Sequence, residues 1–518
     1  MNLGRYVRRT AGHQPHAEAV VCGPVRLTYA ELDDHSDRLA TALRGLGLST
    51  GDRVATLAAN RAELVVTEVA LYKAGLTRAP INARLGTAEV AHLLVESDAR
   101  VLLTDSAHLD CARSAVPGTA VKTVLGYDGP SDLGPGYAET LAATTAEPVE
   151  VDCAEDDAAV LHFTSGSTGK LKAAVQTYGN RLALLRKSVM GDGTRVGSGD
   201  RQILAGPVTH ASGMPLMGIF FAGGCAIVLP RWDAEEFLAT VQGERATHAF
   251  VVPTMINTLL ALPTARDYDV SSLRHLIYGA APMSPARIRQ AWDLFGPVLS
   301  QGFGCGETTS GVLFLTTEDH RRAIEGEDEE LLLSCGRPLA EAEVLIVDES
   351  GTAVADGEIG EIAVRGPDVV PGYHNEPGLT AETFRDGWFH TGDLARRRSD
   401  GYVFIVDRKK DMIISGGFNI YAVEVESVLH QHPDVYEAAV VGIPDEQWGE
   451  AVQAVVVPRA GADLDAAGLI DFCAGRLARM KKPRAVDIVT ALPHNPNGKI
   501  DRRAIRDTYW SGAERRVH

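Results

Sequence analysis

An α/β protein of more than one domain is what this sequence predicts, and three observations predict it. The chain has 518 residues, 45% of them hydrophobic, so it is too long for one ordinary core. Short apolar runs alternate with helix-period segments through the first two thirds. The character then changes twice, to short strands with turn signals after Val344 and to a compact α+β pattern after Asp407. The expected architecture is a large N-terminal domain, residues 1–407, built of α/β layers plus a small β-rich subdomain. A small α+β C-terminal domain, residues 408–518, follows it.

The elements read in order. Leu27 to Leu46 has apolar residues at helical spacing, Arg53 to Ala58 is a short buried strand, and Ala62 to Ala74 is a second helix. The same unit recurs around Val101 to Leu103, Val121 to Leu125, Cys225 to Leu229 and Ala249 to Val252. Ser131 to Pro148 is polar and rich in glycine and proline, which predicts a surface connection. Ala158 to Phe163 (AAVLHF) is a buried strand, and Val344 to Phe404 contains the short strands of the β-rich unit.

Composition excludes some partners. A net charge of -18 and a pI near 5.4 repel polyphosphate, which argues against a nucleic-acid or anionic-membrane surface. The seven cysteines are scattered without a CxxC pair and read as reduced residues of a cytosolic protein. The N-terminus lacks the apolar stretch of a signal peptide and no window approaches membrane-spanning length, so a soluble cytoplasmic protein is expected.

The chemistry begins at Phe163 to Lys172, FTSGSTGKLK. Glycines Gly166 and Gly169 let the backbone curl so that its N–H groups converge on an anion. Thr164, Ser165, Ser167 and Thr168 supply rotatable donors, and Lys170 and Lys172 supply compact positive charge. The segment is built to hold phosphate. Its spacing is not that of a Walker A loop, which needs four residues between glycines and then Lys-Ser/Thr.

Together, FTSGSTGKLKAAVQTYGN (Phe163 to Asn180), HTGD (His390 to Asp393), DRKKDMIISGGFNIYAVEVE (Asp407 to Glu426) and NPNGKIDRR (Asn495 to Arg503) resemble the adenylate-forming superfamily. That superfamily comprises acyl- and aryl-CoA synthetases, carrier-domain adenylation modules and firefly-type luciferases. The resemblance runs from about Leu27 to Arg503 with every motif in the family's order. It implies an ATP-dependent ligase. A carboxylic acid attacks the α-phosphorus of ATP, giving an acyl-adenylate and pyrophosphate, and a thiol, normally that of CoA, then displaces AMP. Such steps call for positioning and charge stabilisation rather than a protein nucleophile.

The resemblance also carries roles onto residues. Glu307, in QGFGCGETTSG, matches the carboxylate that holds Mg²⁺. Asp393 matches the acid that accepts both ribose hydroxyls, and Arg408 an arginine that contacts the nucleotide. Gly279, Ala280 and Ala281 would form the backbone shelf beside adenine, with Phe303 stacking. Lys499 matches the C-terminal-domain lysine that reaches between the carboxylate and the α-phosphate. Lys410 matches a hinge, about which the C-terminal domain would rotate to present Gly416, Gly417 and Phe418 to the thiol. His210 matches a gate of the acyl pocket, which Val252, Gly302 and Gly304 would line, and Tyr373 reads as structural. No aspartate stands in that region to pair with the ammonium of an amino acid, so an aryl, cinnamate-like or medium-chain acid is expected.

Two positions depart from the pattern. Gly306 stands where a threonine usually touches the α-phosphate, which leaves Thr308, Thr309 or backbone amides as substitutes. Ala173 stands where the phosphate loop usually has glycine. Other acceptors stay open: a carrier-protein thiol, an amine or another small nucleophile, and beyond these a luciferase-like oxygenase or a non-catalytic homologue. A homodimer is compatible with the sequence.

Overall fold

Thr28 and Glu31 begin the first long helix by capping each other. The Glu31 N–H donates to the Thr28 hydroxyl at 3.2 Å, and the Thr28 N–H to Glu31 Oε2 at 2.8 Å, so Tyr29–Gly45 starts with its end groups satisfied. In the computed structural model, residues 1–165, 171–190, 195–495 and 499–510 are described, without the side chain of Ser165. Ala62–Ala74 follows and is buried at every position but Glu63, because it lies between two sheets rather than on a surface.

The six-stranded sheet runs in the order Thr123–Gly126, Val101–Thr104, Arg53–Leu57, Thr77–Ile81, Ala158–Ser165, Leu171–Thr177. It is parallel except for its last pair, an antiparallel hairpin. The nine-stranded sheet is parallel from Leu299–Gly304 through His275–Gly279, His248–Val251, Arg201–Leu204 and Cys225–Val228 to Glu18–Cys22. Antiparallel strands close both of its edges.

Tyr29–Gly45, Ala62–Ala74 and Leu216–Ala222 fill the space between the two sheets with one apolar core. Helices Thr87–Ser97 and Leu109–Ala115 cover the outer face of the six-stranded sheet, while Ala234–Glu244, Pro253–Ala261 and Pro285–Phe295 cover that of the nine-stranded one. Parallel strands buried on both faces explain why their sequences are continuous apolar runs.

Glu343–Val347, Ile359–Arg365, Phe384–Arg385, Trp388–Arg397 and Val403–Arg408 form the small sheet expected after Val344. Beyond Arg408 a further five-stranded sheet carries helices Ala422–Leu429, Ala466–Ala474 and Arg502–Tyr509 over two small cores of its own. One expectation is corrected. The stretch from Ser131 to Pro148 is not all surface connection: it contains the helix Tyr137–Ala143, whose Tyr137 and Leu141 are buried.

Candidate active site

The two strands that flank the expected phosphate loop pair with each other. Ala158–Ser165 pairs with Leu171–Thr177 so that Thr164 faces Lys172 and Phe163 faces Ala173. Gly166, Ser167, Thr168, Gly169 and Lys170, together with the Ser165 side chain, lie outside the described residues. Ala173 sits in extended, fully buried strand and accepts from the His374 N–H at 2.8 Å, so the absence of glycine strains nothing there.

Cross-strand neighbours share a face, so Thr164 and Lys172 reach one carboxylate together. The Thr164 hydroxyl donates to Glu307 Oε1 at 3.2 Å, and Lys172 Nζ lies 3.5 Å from the same oxygen. Tyr373, missed as a site residue, donates its phenol to that oxygen at 3.0 Å and offers its ring face to Lys172 Nζ at 3.7 Å. Among the described residues nothing hydrogen-bonds Glu307 Oε2.

The loop around Glu307 corrects one expectation. Thr308 donates to Ser310 O at 2.7 Å and accepts from the Cys305 N–H at 3.0 Å, while Thr309 donates to Asp368 O at 2.7 Å, and both are buried. Their hydroxyls are committed to loop structure and cannot replace the one absent at Gly306. Instead Gln176 pins this loop by donating to the Gly306 carbonyl at 3.0 Å. Gln176 belongs to a buried network in which Glu68 pairs with both Arg78 and Arg181, and Tyr72 bridges Arg181 and Glu68.

Gly279, Ala280 and Ala281, expected beside adenine, lie at the carboxyl end of a parallel strand, where open α/β sheets bind ligands. Gly279 stands opposite Gly302, and a Cβ on Gly279 would come 2.3 Å from the Gly302 carbonyl oxygen, so the two strands need that glycine. Ala280 follows in the left-handed region at φ 67°, a strained state for a side-chain-bearing residue, and is exposed, while Ala281 and Phe303 are half-buried. Across the cleft, Asp393 pairs in register with Arg408 and accepts from its Nε at 3.0 Å. Burial pushes the Asp393 carboxyl up, and Asp393 in turn pushes Arg408 up.

Lys499 joins them from the C-terminal region. Burial and the Arg408 charge push its ammonium down, Asp393 and Cys305 pull it up, and Asp393 and His210 both feel its charge. Its own surface remains open to solvent although protein surrounds it, which is the situation of a group standing in a cleft. Lys410 is pushed down by burial and by Arg408. Gly416 and Gly417 make the tight turn between Ile413–Ser415 and Phe418–Ile420 at φ 58° and 82°, leaving Phe418 exposed.

His210 is held by Thr209 at 2.9 Å and meets the His162 ring edge-on, centroids 5.6 Å apart. Both rings line a small polar cavity with Arg78, Gln176, Arg181 and Met214. Burial pushes His162 down to about 4 and His210 down to about 3, so both are neutral at pH 7. Val252 precedes the Pro253–Ala261 helix. Gly302 leaves open space, with nothing nearer than Phe314 Cδ2 at 4.0 Å, but a Cβ at Gly304 would strike the Ser310 carbonyl oxygen at 2.0 Å. Gly304 therefore serves backbone packing rather than pocket volume.

The comparisons agree along the chain. Residues 7–374 match the AMP-binding enzyme model and residues 424–499 its C-terminal domain model. A feruloyl-CoA synthase of an Amycolatopsis species is 39% identical over 506 residues, 97% of this chain and 98% of that one. The o-succinylbenzoate CoA synthetase of Bacillus subtilis, solved with its acyl-adenylate intermediate, is 30% identical with a TM-score of 0.85, over 97% of this chain and 98% of that one. An amide bond synthetase of Marinactinospora thermotolerans is 31% identical with a TM-score of 0.89, over 98% and 99%. The chain thus belongs to the AMP-binding enzyme family, within the adenylate-forming superfamily, and is of its acyl- and aryl-CoA ligase type.

Proposed function

We propose that this protein activates an aryl or medium-chain carboxylic acid with ATP, releasing pyrophosphate, and passes the acyl group from the adenylate to CoA with release of AMP. One observation carries the reading. Thr164, Lys172 and Glu307 converge below the phosphate hairpin, and Asp393, Arg408 and Lys499 face one another in the adjoining cleft. A polyphosphate brings much negative charge, and this grouping answers it locally in a chain of net charge -18.

The donors fit magnesium. Among the described residues no group of three or more His, Cys, Asp or Glu could cage a metal, but Glu307 offers a carboxylate oxygen without a hydrogen bond. Magnesium suits such a site, since it takes one or two carboxylates and completes its shell with phosphate and water. When bound it would neutralise phosphate charge. Thr164 and Tyr373 orient the carboxylate, and Asp393 takes the ribose. Lys499 steadies the charge that builds between the acid and the α-phosphate, where its mobile ammonium acts as a point charge.

The C-terminal part, residues 408–518, then turns about Lys410 against residues 1–407, withdrawing Lys499 and presenting Gly416, Gly417 and Phe418 to the thiol. Its separate cores support a body that moves as a unit. His210 gates the acyl site beside Val252 and Gly302. A cytoplasmic setting accords with seven free cysteines. Among the described residues no helix is long and apolar enough to cross a membrane.

A pyrophosphate-release assay over a panel of carboxylic acids, with and without CoA, tests the reading. Turnover that requires CoA supports it, and formation of ADP in place of AMP would refute it. A second reading, transfer to an amine, is favoured by the likeness to an amide bond synthetase. Acid-dependent pyrophosphate release that an amine sustains without CoA would select it, and release sustained by a carrier-protein thiol alone would select that acceptor.

A further inference from the structure

Gly306 lacks a side chain because another residue fills its space. A Cβ at this position would lie 2.4 Å from His162 Cδ2, 2.7 Å from Thr164 Cγ2 and 3.1 Å from His162 Nε2. The imidazole thus occupies the slot into which the side chain preceding Glu307 would project. Strand alternation puts His162 on the same face of Ala158–Ser165 as Thr164, about 6 to 7 Å further from the hairpin tip. On its other side the ring meets His210. His162 therefore stands between the group that holds Glu307 and the group that gates the acyl site.

This location fits a ligand contact. His162 is 8% exposed, yet no described residue hydrogen-bonds either of its ring nitrogens. What surface remains faces the polar cavity it shares with Thr209, His210 and Gln176. A neutral imidazole carries one N–H donor and one acceptor, and since neither nitrogen of His162 is among the sealed polar atoms that lack a partner, both stay open to a ligand. Gln176 and Arg181 are already engaged with the Gly306 loop and Glu68, so neither offers itself as the partner.

We infer that His162 is a further catalytic residue, donating its Nε2–H to an oxygen of the α-phosphate where the acid joins it. The inference rests on the adenylation reading above. In that step a carboxylate oxygen bonds to the α-phosphorus, and the bond from phosphorus to the bridging oxygen breaks. The electron pair leaves on pyrophosphate. No proton changes hands, so His162 keeps its own throughout and acts by stabilising charge. Gly306 and His162 form a matched pair: the loop yields its side chain and the strand supplies the donor.

Kinetics of acid-dependent pyrophosphate release test this. His162→Met keeps the bulk and loses the donor, and is expected to lower kcat by about 100-fold with little change in the KM for ATP. His162→Gln restores an N–H near the same place and should stay within about tenfold of wild type. The double variant His162→Ala, Gly306→Thr returns a hydroxyl from the loop side, and should exceed His162→Ala alone by about tenfold. Thermal melts of each protein separate lost folding from lost chemistry. A folded His162→Met enzyme at wild-type kcat would overturn the inference, as would a double variant no better than His162→Ala. If His162→Met does not fold, His162→Gln and the double variant decide. A wild type silent towards every acid would remove the adenylation reading and this inference with it, whereas an active wild type beside an indifferent His162→Met would remove the inference alone.

Discussion

At Glu307 three neighbours meet one carboxylate oxygen, and each does something different. Thr164 and Tyr373 orient it by hydrogen bonds at 3.2 and 3.0 Å, while Lys172 balances its charge from its seat on the Tyr373 ring. Tyr373→Phe keeps the ring and loses the phenol, so a loss of about 1 kcal/mol, roughly fivefold in kcat/KM, is expected in a magnesium-saturated pyrophosphate assay. Tyr373→Leu also removes the seat under Lys172 and should cost more. Lys499→Ala tests the other side of the cleft. It should lower adenylation by about 100-fold or more while sparing thioester formation from supplied acyl-adenylate, and equal loss of both half-reactions would refute the role given to Lys499.

Elements meet through the buried network of Glu68, Arg78 and Arg181. It ties the helix Ala62–Ala74 to the strand Thr77–Ile81 and to the helix Tyr178–Met190, and through Gln176 it reaches the Glu307 loop. Two arginines share one carboxylate there, all three at most 5% exposed. Glu68→Gln would leave both guanidinium groups uncompensated, so a loss of about 3 to 5 kcal/mol in urea unfolding is expected. The turn at Gly416 is a second element-scale test. A Cβ there would meet Trp448 Cε3 at 2.5 Å in a left-handed backbone. Gly416→Ala should destabilise this region by about 1 to 2 kcal/mol and slow thioester formation more than adenylation.

What the sequence could reveal followed the range of each signal. Ala62–Ala74 was legible to the residue, and parallel strands such as Arg53–Leu57, Val101–Thr104 and Cys225–Val228 to within a residue or two, because apolar runs are local, whereas Thr77–Ile81, Arg201–Leu204 and His275–Gly279 went unread. The helix Tyr137–Ala143 was hidden by the glycines and prolines around it, and at its start the Gly136 N–H donates to Glu139 Oε2 at 3.2 Å. Motif residues such as Glu307, Asp393 and Lys499 could be singled out by their setting in the chain. Gln176, Tyr373 and His162 could not, since their roles arise from contacts that only the fold creates. The strand read from the sequence stopped at Phe163, so the shared face of His162 and Thr164 emerged only once the strand was seen to run on to Ser165. It took the backbone to show that Gly304 is packing and that Thr308 is already engaged.

For the molecule as a whole, buried histidines set the acid limit. His162, His248 and His320 are each pushed down to about 4 by burial, against about 6.5 in an unfolded chain. Above pH 6.5 both states hold them neutral. Between 6.5 and 4 the unfolded chain binds protons that the fold refuses, so stability falls as pH falls, by up to about 1 kcal/mol per ring per pH unit. Asp407 opposes this. Burial pushes its carboxyl up to about 7, so its contribution is lost instead as pH rises from about 4 towards 7. Three rings outweigh one carboxyl, and the urea midpoint at pH 5.0 should lie below that at pH 7.5.

Cys305 has a practical consequence for chemical probes. The residue is exposed on its backbone side, but its thiol lies buried near Glu307 and Asp393, and that burial together with those carboxylates holds it far above the ordinary range. Alkylating reagents attack thiolates, so iodoacetamide at pH 8 should leave this sulfur unmodified. Electrophilic inhibitors designed to anchor on that cysteine would gain only the residence time of their non-covalent part.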